Sequence, residues 1–255
     1  MVEIVTNERE WVENKLASPS LGKKPMETLG RIARYTYNAG YTKKNEIARK
    51  LEEYLLRCDP SVSLVKWQDA VMAAAKSAER YPLIDVRGVD VTQNELEEIK
   101  KITGVMARKV MFTLVCLAKY SNAVNPLNKN WVNFSTKDIF SLANVNVSNK
   151  RRALIINDLW NAGYVGYSHI IDNTNLNVKM LEADGTPALR IEDFRDLGNQ
   201  YLMHMGENYM ICQSCGAIVK RQSSAQKYCR LCAPQINTEK TMMNRRRKNA
   251  KVENV

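Results

Sequence analysis

The sequence predicts a mainly α protein: a helical N-terminal domain over residues 1–91, a central domain over 92–200 and a small cysteine-bearing module over 201–255. Three observations predict this layout. Apolar residues recur at helical spacing through most of the N-terminal half. Between Ser135 and Leu181 a short helix, a turn, a longer helix and two β-type runs follow one another. Near the C-terminus, four of the six cysteines fall into two C-x2-C pairs.

Residues 1–25 are polar and end in a Pro/Gly/Ser-rich stretch, so an arm or a first helix is expected there. From Met26, the residues Leu29, Ile32, Ala33, Tyr35 and Tyr37 form a helix that Gly40 stops. A second helix, 43–56, gathers Ile47, Leu51, Tyr54 and Leu55 on one face, and Asp59-Pro60 ends it. A third, 64–81, carries Val65, Trp67, Val71, Met72 and Ala75 up to Pro82. Residues 83–91 alternate apolar and polar side chains, as a short strand or an extended linker does. Thr92 and Glu95 are spaced as a capping box, each side chain satisfying a backbone N–H of the first turn. The helix they open extends towards Ser121, with a break signalled at Thr103-Gly104; its second half, VMFTLVCLAKY, is apolar on nearly every side and belongs in a core.

After an Asn-rich loop containing Pro126, Ser135 to Asp138 start a short helix with Ile139, Phe140, Leu142 and Ala143 on its apolar side. A turn at 144–147 leads to Ser148, an N-cap residue. The helix 149–162 is expected to turn Leu154, Ile155, Leu159 and Trp160 inward and to stop at Gly163. Residues 164–171 and 176–181 are two β-type runs around Asp172 to Asn175, a hairpin. This order is that of a winged-helix-like domain. In that arrangement the N-terminal residues of the second helix of the motif enter the major groove. Here they are Asn146, Ser148, Asn149, Lys150, Arg151 and Arg152, whose chemistry suits guanine, adenine and phosphate. The hairpin turn would be the wing, with Lys179 near the backbone.

Cys212 and Cys215, then Cys229 and Cys232, have the spacing of a four-cysteine site for Zn²⁺. Four thiolates leave no open coordination position, so a structural zinc is expected, with iron as the rival. Cys58 and Cys116 sit among apolar neighbours and read as buried thiols. Neither His169 nor His204 has ligand spacing to the cysteines. Ala233-Pro234 opens a helix over 235–248. Knuckle, hairpin and a Cys pair opening a helix resemble the treble-clef and zinc-ribbon families, over residues 208–248.

Net charge is +11, and its location is informative. From Cys212 to Lys251 ten basic residues face one acidic residue, Glu239. Such a patch attracts polyanions, with Lys220, Arg221, Arg245, Arg246, Arg247 and Lys248 as phosphate contacts. The longest apolar stretch, 110–118, is too short to cross a bilayer, and the N-terminus lacks the order of a secretory signal, so no membrane partner and a cytoplasmic location are expected. No glycine-rich phosphate loop, G-x-S-x-G elbow or H-E-x-x-H is present, and acidic pairs such as Asp193/Asp196 lack a partner signature. A non-enzyme is expected.

The stretch LAKYSNAVNPLNKNWVNFSTKDIFSLANV, the later DFRDLGNQYL and the ending C-x2-CG…KYC-x2-CA resemble uncharacterised proteins of phages and prophages in Gram-positive bacteria. That resemblance implies a regulatory, replication or host-takeover role and supplies no reaction. The expected function is binding of nucleic acid, double-stranded DNA first, in transcription regulation or replication. A host protein partner, such as RNA polymerase or a nuclease complex, and RNA are the rivals.

Overall fold

A computed structural model describes residues 3–168, 175–182 and 184–252; in the final helix it describes 244 and 246–252 by their backbone alone. The chain is mainly α, and it divides into two compact units, Glu3–Gly88 and Val89 onward.

In the first unit, α1 (Glu8–Ala17), α2 (Pro25–Asn38), α3 (Lys44–Cys58) and α4 (Leu64–Ser77) surround one core. Val12, Leu29, Ile32, Leu51, Leu55 and Val71 are buried in it. Asn7 caps α1 by accepting from Glu10 N–H, and Gly40 ends α2 with a φ of 101° that a side chain would resist. Two details differ from the sequence reading. Val65 is exposed, although Leu64 and Trp67 in the same turn of α4 pack against the core. Cys58 is only half-buried at the end of α3.

A buried ionic cluster ties the segment after α4 back to this unit. The Glu8 carboxylate is fully buried and accepts from Arg34, from the Ile84 N–H at 3.0 Å, and lies 3.8 Å from Arg31. Arg31 also stacks over Trp11, 5.2 Å from the ring centroid.

The second unit is built around α6 (Val105–Val124), whose residues from Lys109 to Ala118 are all buried. The long helix expected from Thr92 is two: α5 (Gln93–Lys101) carries the Thr92/Glu95 capping box, and Gly104, at φ 90°, breaks the chain before α6. β1 (Val89–Thr92) pairs antiparallel with β5 (Pro187–Ile191), a contact between segments nearly a hundred residues apart that local patterning does not contain. Glu95 fastens this joint: its carboxylate accepts from Thr92 N–H at 2.8 Å and Glu182 N–H at 3.0 Å, and pairs with Lys119 at 3.0 Å.

Beyond α6 come β2 (Trp131–Val132), α7 (Thr136–Leu142), α8 (Asn149–Asn161), β3 (Val165–Tyr167) and β4 (Leu176–Val178). The strands form an antiparallel sheet in the order β2-β4-β3. β2 was not legible in the sequence; two residues are too few to show alternation, and side chains fix its position: Asn128 donates to Trp131 O, and just before the strand Asn122 Oδ1 accepts from Asn130 N–H and Asn177 donates to Lys129 O. The hairpin turn, with His169 and Asp172, lies outside the described residues.

α9 (Leu197–His204) packs on α6, where Tyr201 meets Phe112 with ring centroids 5.2 Å apart. β6 (Tyr209–Ile211) and β7 (Ile218–Lys220) then pair antiparallel, and α10 (Cys232–Val252) follows. No described helix is long and apolar enough to cross a membrane.

Candidate metal centre and nucleic-acid interface

The sulfur atoms of Cys212, Cys215, Cys229 and Cys232 lie within 4.8 Å of one another, the one such group among the described residues. All four cysteines are free of disulfides. Cys215 Sγ and Cys229 Sγ are 3.8 Å apart. A disulfide would hold them at about 2.05 Å, whereas two sulfurs about 2.3 Å from a tetrahedral ion stand about 3.8 Å apart. The four thiols can therefore hold a metal ion.

Local backbone geometry explains why the pairs converge. The first knuckle is closed by hydrogen bonds from Cys212 N–H to Ala217 O and from Gly216 N–H to Cys212 O, both 2.9 Å. Gly216 has φ 72°, and a side chain there would also meet Arg195 at 3.2 Å. The second pair opens α10, where Ala233 N–H donates to Cys229 O at 3.0 Å. Gln213 N–H to Lys227 O, also 3.0 Å, and Cys229 N–H to Cys212 Sγ, 3.2 Å, join the two knuckles.

These N–H groups act on the thiols. Burial pushes Cys212 up, but the N–H groups of Cys215, Cys229 and Ser214 outweigh it and bring the thiol down to about 6. Cys229 is also lowered, chiefly by Cys232 N–H. Cys232 is pushed up to about 12: the Ser214 contact lowers it, and its crowding against the sulfurs of Cys229, Cys215 and Cys212 prevails. Sulfurs that crowd one another in this way are relieved by a shared cation.

At the start of α8, Ser148 Oγ accepts from Arg151 N–H at 3.4 Å. Asn146, Ser148, Asn149, Lys150 and Arg151 are exposed, and no acidic residue lies in the first turn. Arg152 behaves differently: it is half-buried, lies 5.8 Å over the Phe140 ring and donates to Asn149 Oδ1 at 3.3 Å. Leu154 and Trp160, expected to point inward, are exposed at 43% and 48%. Ile155, Ile156 and Leu159 are the buried residues of α8, a face too narrow to take in either. The Trp160 ring instead lies 5.9 Å from that of Tyr167, which is 41% exposed.

Of the basic C-terminal set, Lys220, Arg221 and Arg245 are exposed. Arg246, Arg247 and Lys248 fall within α10, and their side chains lie outside the described residues. Asp193 is engaged by Arg195 at 2.6 Å. Burial raises the Asp193 carboxyl and Arg195 more than offsets this, holding it below the usual value. His204 is exposed at the end of α9 and is not a member of the cysteine cluster.

Sequence reasoning missed one set of polar residues. Lys109, Asn144, Asp196 and Asn199 are joined by hydrogen bonds between α6, the turn before α8 and the start of α9. Asn144 has φ 52° and Asp196 φ 51°, and a left-handed asparagine after a helix is the one local sign the sequence offered. No family model matches the chain, and no match is found among curated proteins or solved structures.

Proposed function

We propose that this chain is a non-enzymatic DNA-binding protein of phage type, a transcription or replication regulator, with a structural Zn²⁺ at the four cysteines. On this reading residues 105–178 form a winged helix with α8 as recognition helix. The element order supports it: helix, strand, two helices and two strands, with a three-stranded sheet beside α8. The zinc assignment rests on four sulfur donors, the set that structural zinc sites favour.

One observation carries the DNA reading. The first turn of α8 presents Asn149, Lys150 and Arg151 to solvent with no carboxylate to neutralise them. A helix N-terminus with basic and amide side chains can dock on phosphate and reach base edges. Lys220, Arg221 and the basic end of α10 would add sequence-independent phosphate affinity.

The test is binding of the zinc-loaded protein to duplex DNA across a salt series, beside Lys150→Ala/Arg151→Ala. Each lost phosphate contact should reduce the slope of log affinity against log salt by about 1. Absence of binding at low salt would sink the proposal.

A second reading has its own observation. The exposed Trp160 and Tyr167 rings form an aromatic patch of the kind enriched at protein interfaces. A host protein partner would be disrupted by Trp160→Ala, which leaves the basic turn of α8 intact.

A further inference from the structure

We infer that the metal centre and the turn that orients α8 are mechanically coupled, through Ile218 of β7 and the polar set Asp196, Asn199 and Asn144. The inference deepens the proposed function: its zinc arms rest on the metal assignment alone, and its DNA arm on the DNA reading.

The connection is continuous. Ile218 stands three residues after Cys215, and both its backbone polar groups are held by α9: Ile218 N–H donates to Asp196 Oδ2 at 3.2 Å, and Ile218 O accepts from Asn199 Nδ2 at 2.9 Å. The same two residues hold the turn before α8, Asp196 by its side chain and Asn199 by its backbone N–H. Asn144 Nδ2 donates to Asp196 Oδ1 at 2.7 Å, and Asn144 Oδ1 accepts from Asn199 N–H at 3.3 Å. Beneath them the buried Lys109 ammonium donates to Asn144 O at 2.9 Å and Asn199 Oδ1 at 3.3 Å. Gly198 closes the joint: a side chain there would come within 1.9 Å of Ala143 O.

The knuckle end of this ring has little else to stabilise it. β6 and β7 are three residues each, too short to persist as an isolated hairpin. From β6 onward the buried apolar or thiol side chains among the described residues are Met210, Cys212, Ile218 and Cys229. A module with so small a core depends on its metal for order. Without the ion, Ile218 loses its fixed position, and Asp196 and Asn199 lose the partners that orient them. Asn144, left-handed and held by Asp196 Oδ1 and Asn199 N–H, then has fewer constraints on the geometry it imposes on α8. Coupling of this kind is reciprocal: what loosens the turn weakens the metal.

Asn144→Gly tests that reciprocity. Glycine adopts the φ of 52° at Asn144 without strain, so the backbone turn survives while both side-chain links are cut. Zinc affinity of the full chain, measured by chelator competition, should fall at least about fivefold, although the residue is far from the ligands in sequence. Hydrogen exchange of the zinc-loaded and chelated full chain supplies the direct arm. Removing zinc should speed exchange at 209–220 and at 143–149 while 110–118 in α6 stays protected. Faster exchange confined to 209–220, or no change anywhere, overturns the inference. If chelation unfolds the whole second unit, the Asn144→Gly zinc affinity decides, and a change below about fivefold overturns it. Asn144→Gly should also weaken DNA binding. Failure of the unaltered protein to bind DNA would remove the proposed function and leave the zinc and exchange results standing.

Discussion

Replacing Glu95 by alanine should cost the second unit about 3–5 kcal/mol, the range for removing one member of a buried, hydrogen-bonded ion pair. Glu95 is 1% exposed, so no water takes over its contacts. Two backbone donors, Thr92 N–H at 2.8 Å and Glu182 N–H at 3.0 Å, would lose their acceptor. Each buried orphan costs about 1–3 kcal/mol. Lys119, 3.0 Å away and mostly buried, would lose its counter-charge as well. Glu95→Gln keeps one oxygen but presents an NH2 where a second acceptor is needed, so it should cost about half as much. The assay is native-state hydrogen exchange at the α6 amides, which lie beside this joint. A loss of 3–5 kcal/mol corresponds to exchange faster by about a hundredfold to several thousandfold. A loss under about 1 kcal/mol in Glu95→Ala would refute the reasoning, because it would mean that the three contacts do not share one buried carboxylate.

Glu8→Ala should destabilise the first unit by a similar amount, about 3–5 kcal/mol, since Arg31, Arg34 and Ile84 N–H converge on that buried carboxylate; urea unfolding followed at Trp11 would report it. Gly198→Ala should cost more than about 2 kcal/mol, because the clash at 1.9 Å is with the backbone oxygen of Ala143 and no rotamer relieves it. Gly30→Ala is the matching control: inside α2 nothing lies within 4 Å of the added Cβ, so it should stabilise by up to about 1 kcal/mol. Cobalt should load with the spectrum of a tetrahedral thiolate site, and Cys232→Ser should weaken or abolish it; an octahedral spectrum would count against a four-thiolate centre.

Much of the local structure and the metal site was legible in the sequence for a common physical reason. Caps, stops and knuckles are written within a few residues: Ser148 caps α8, Thr92 and Glu95 form their box, Gly40 and Gly163 take the positive φ that ends a helix, and each C-x2-C brings two sulfurs into one cluster that could hold a metal ion. What these signals lack is any statement of which distant segment lies opposite. Leu154 and Trp160 are apolar at helical spacing, yet a helix pattern does not say how wide the covering surface is, and only a narrow face of α8 is buried. The pairing of β1 with β5 joins segments too far apart for either to announce the other. The ring of Asn144, Asp196, Asn199 and Ile218 is of the same kind. Asparagine and aspartate are ordinary loop residues in a sequence. They become a link between the cysteine knuckle and α8 because α9 packs on α6 and brings their donors and acceptors within 3.5 Å of one another. Hydrogen-bond partners set by chain position over a few residues were determined by the sequence itself; partners set by packing were decided only when the core placed them.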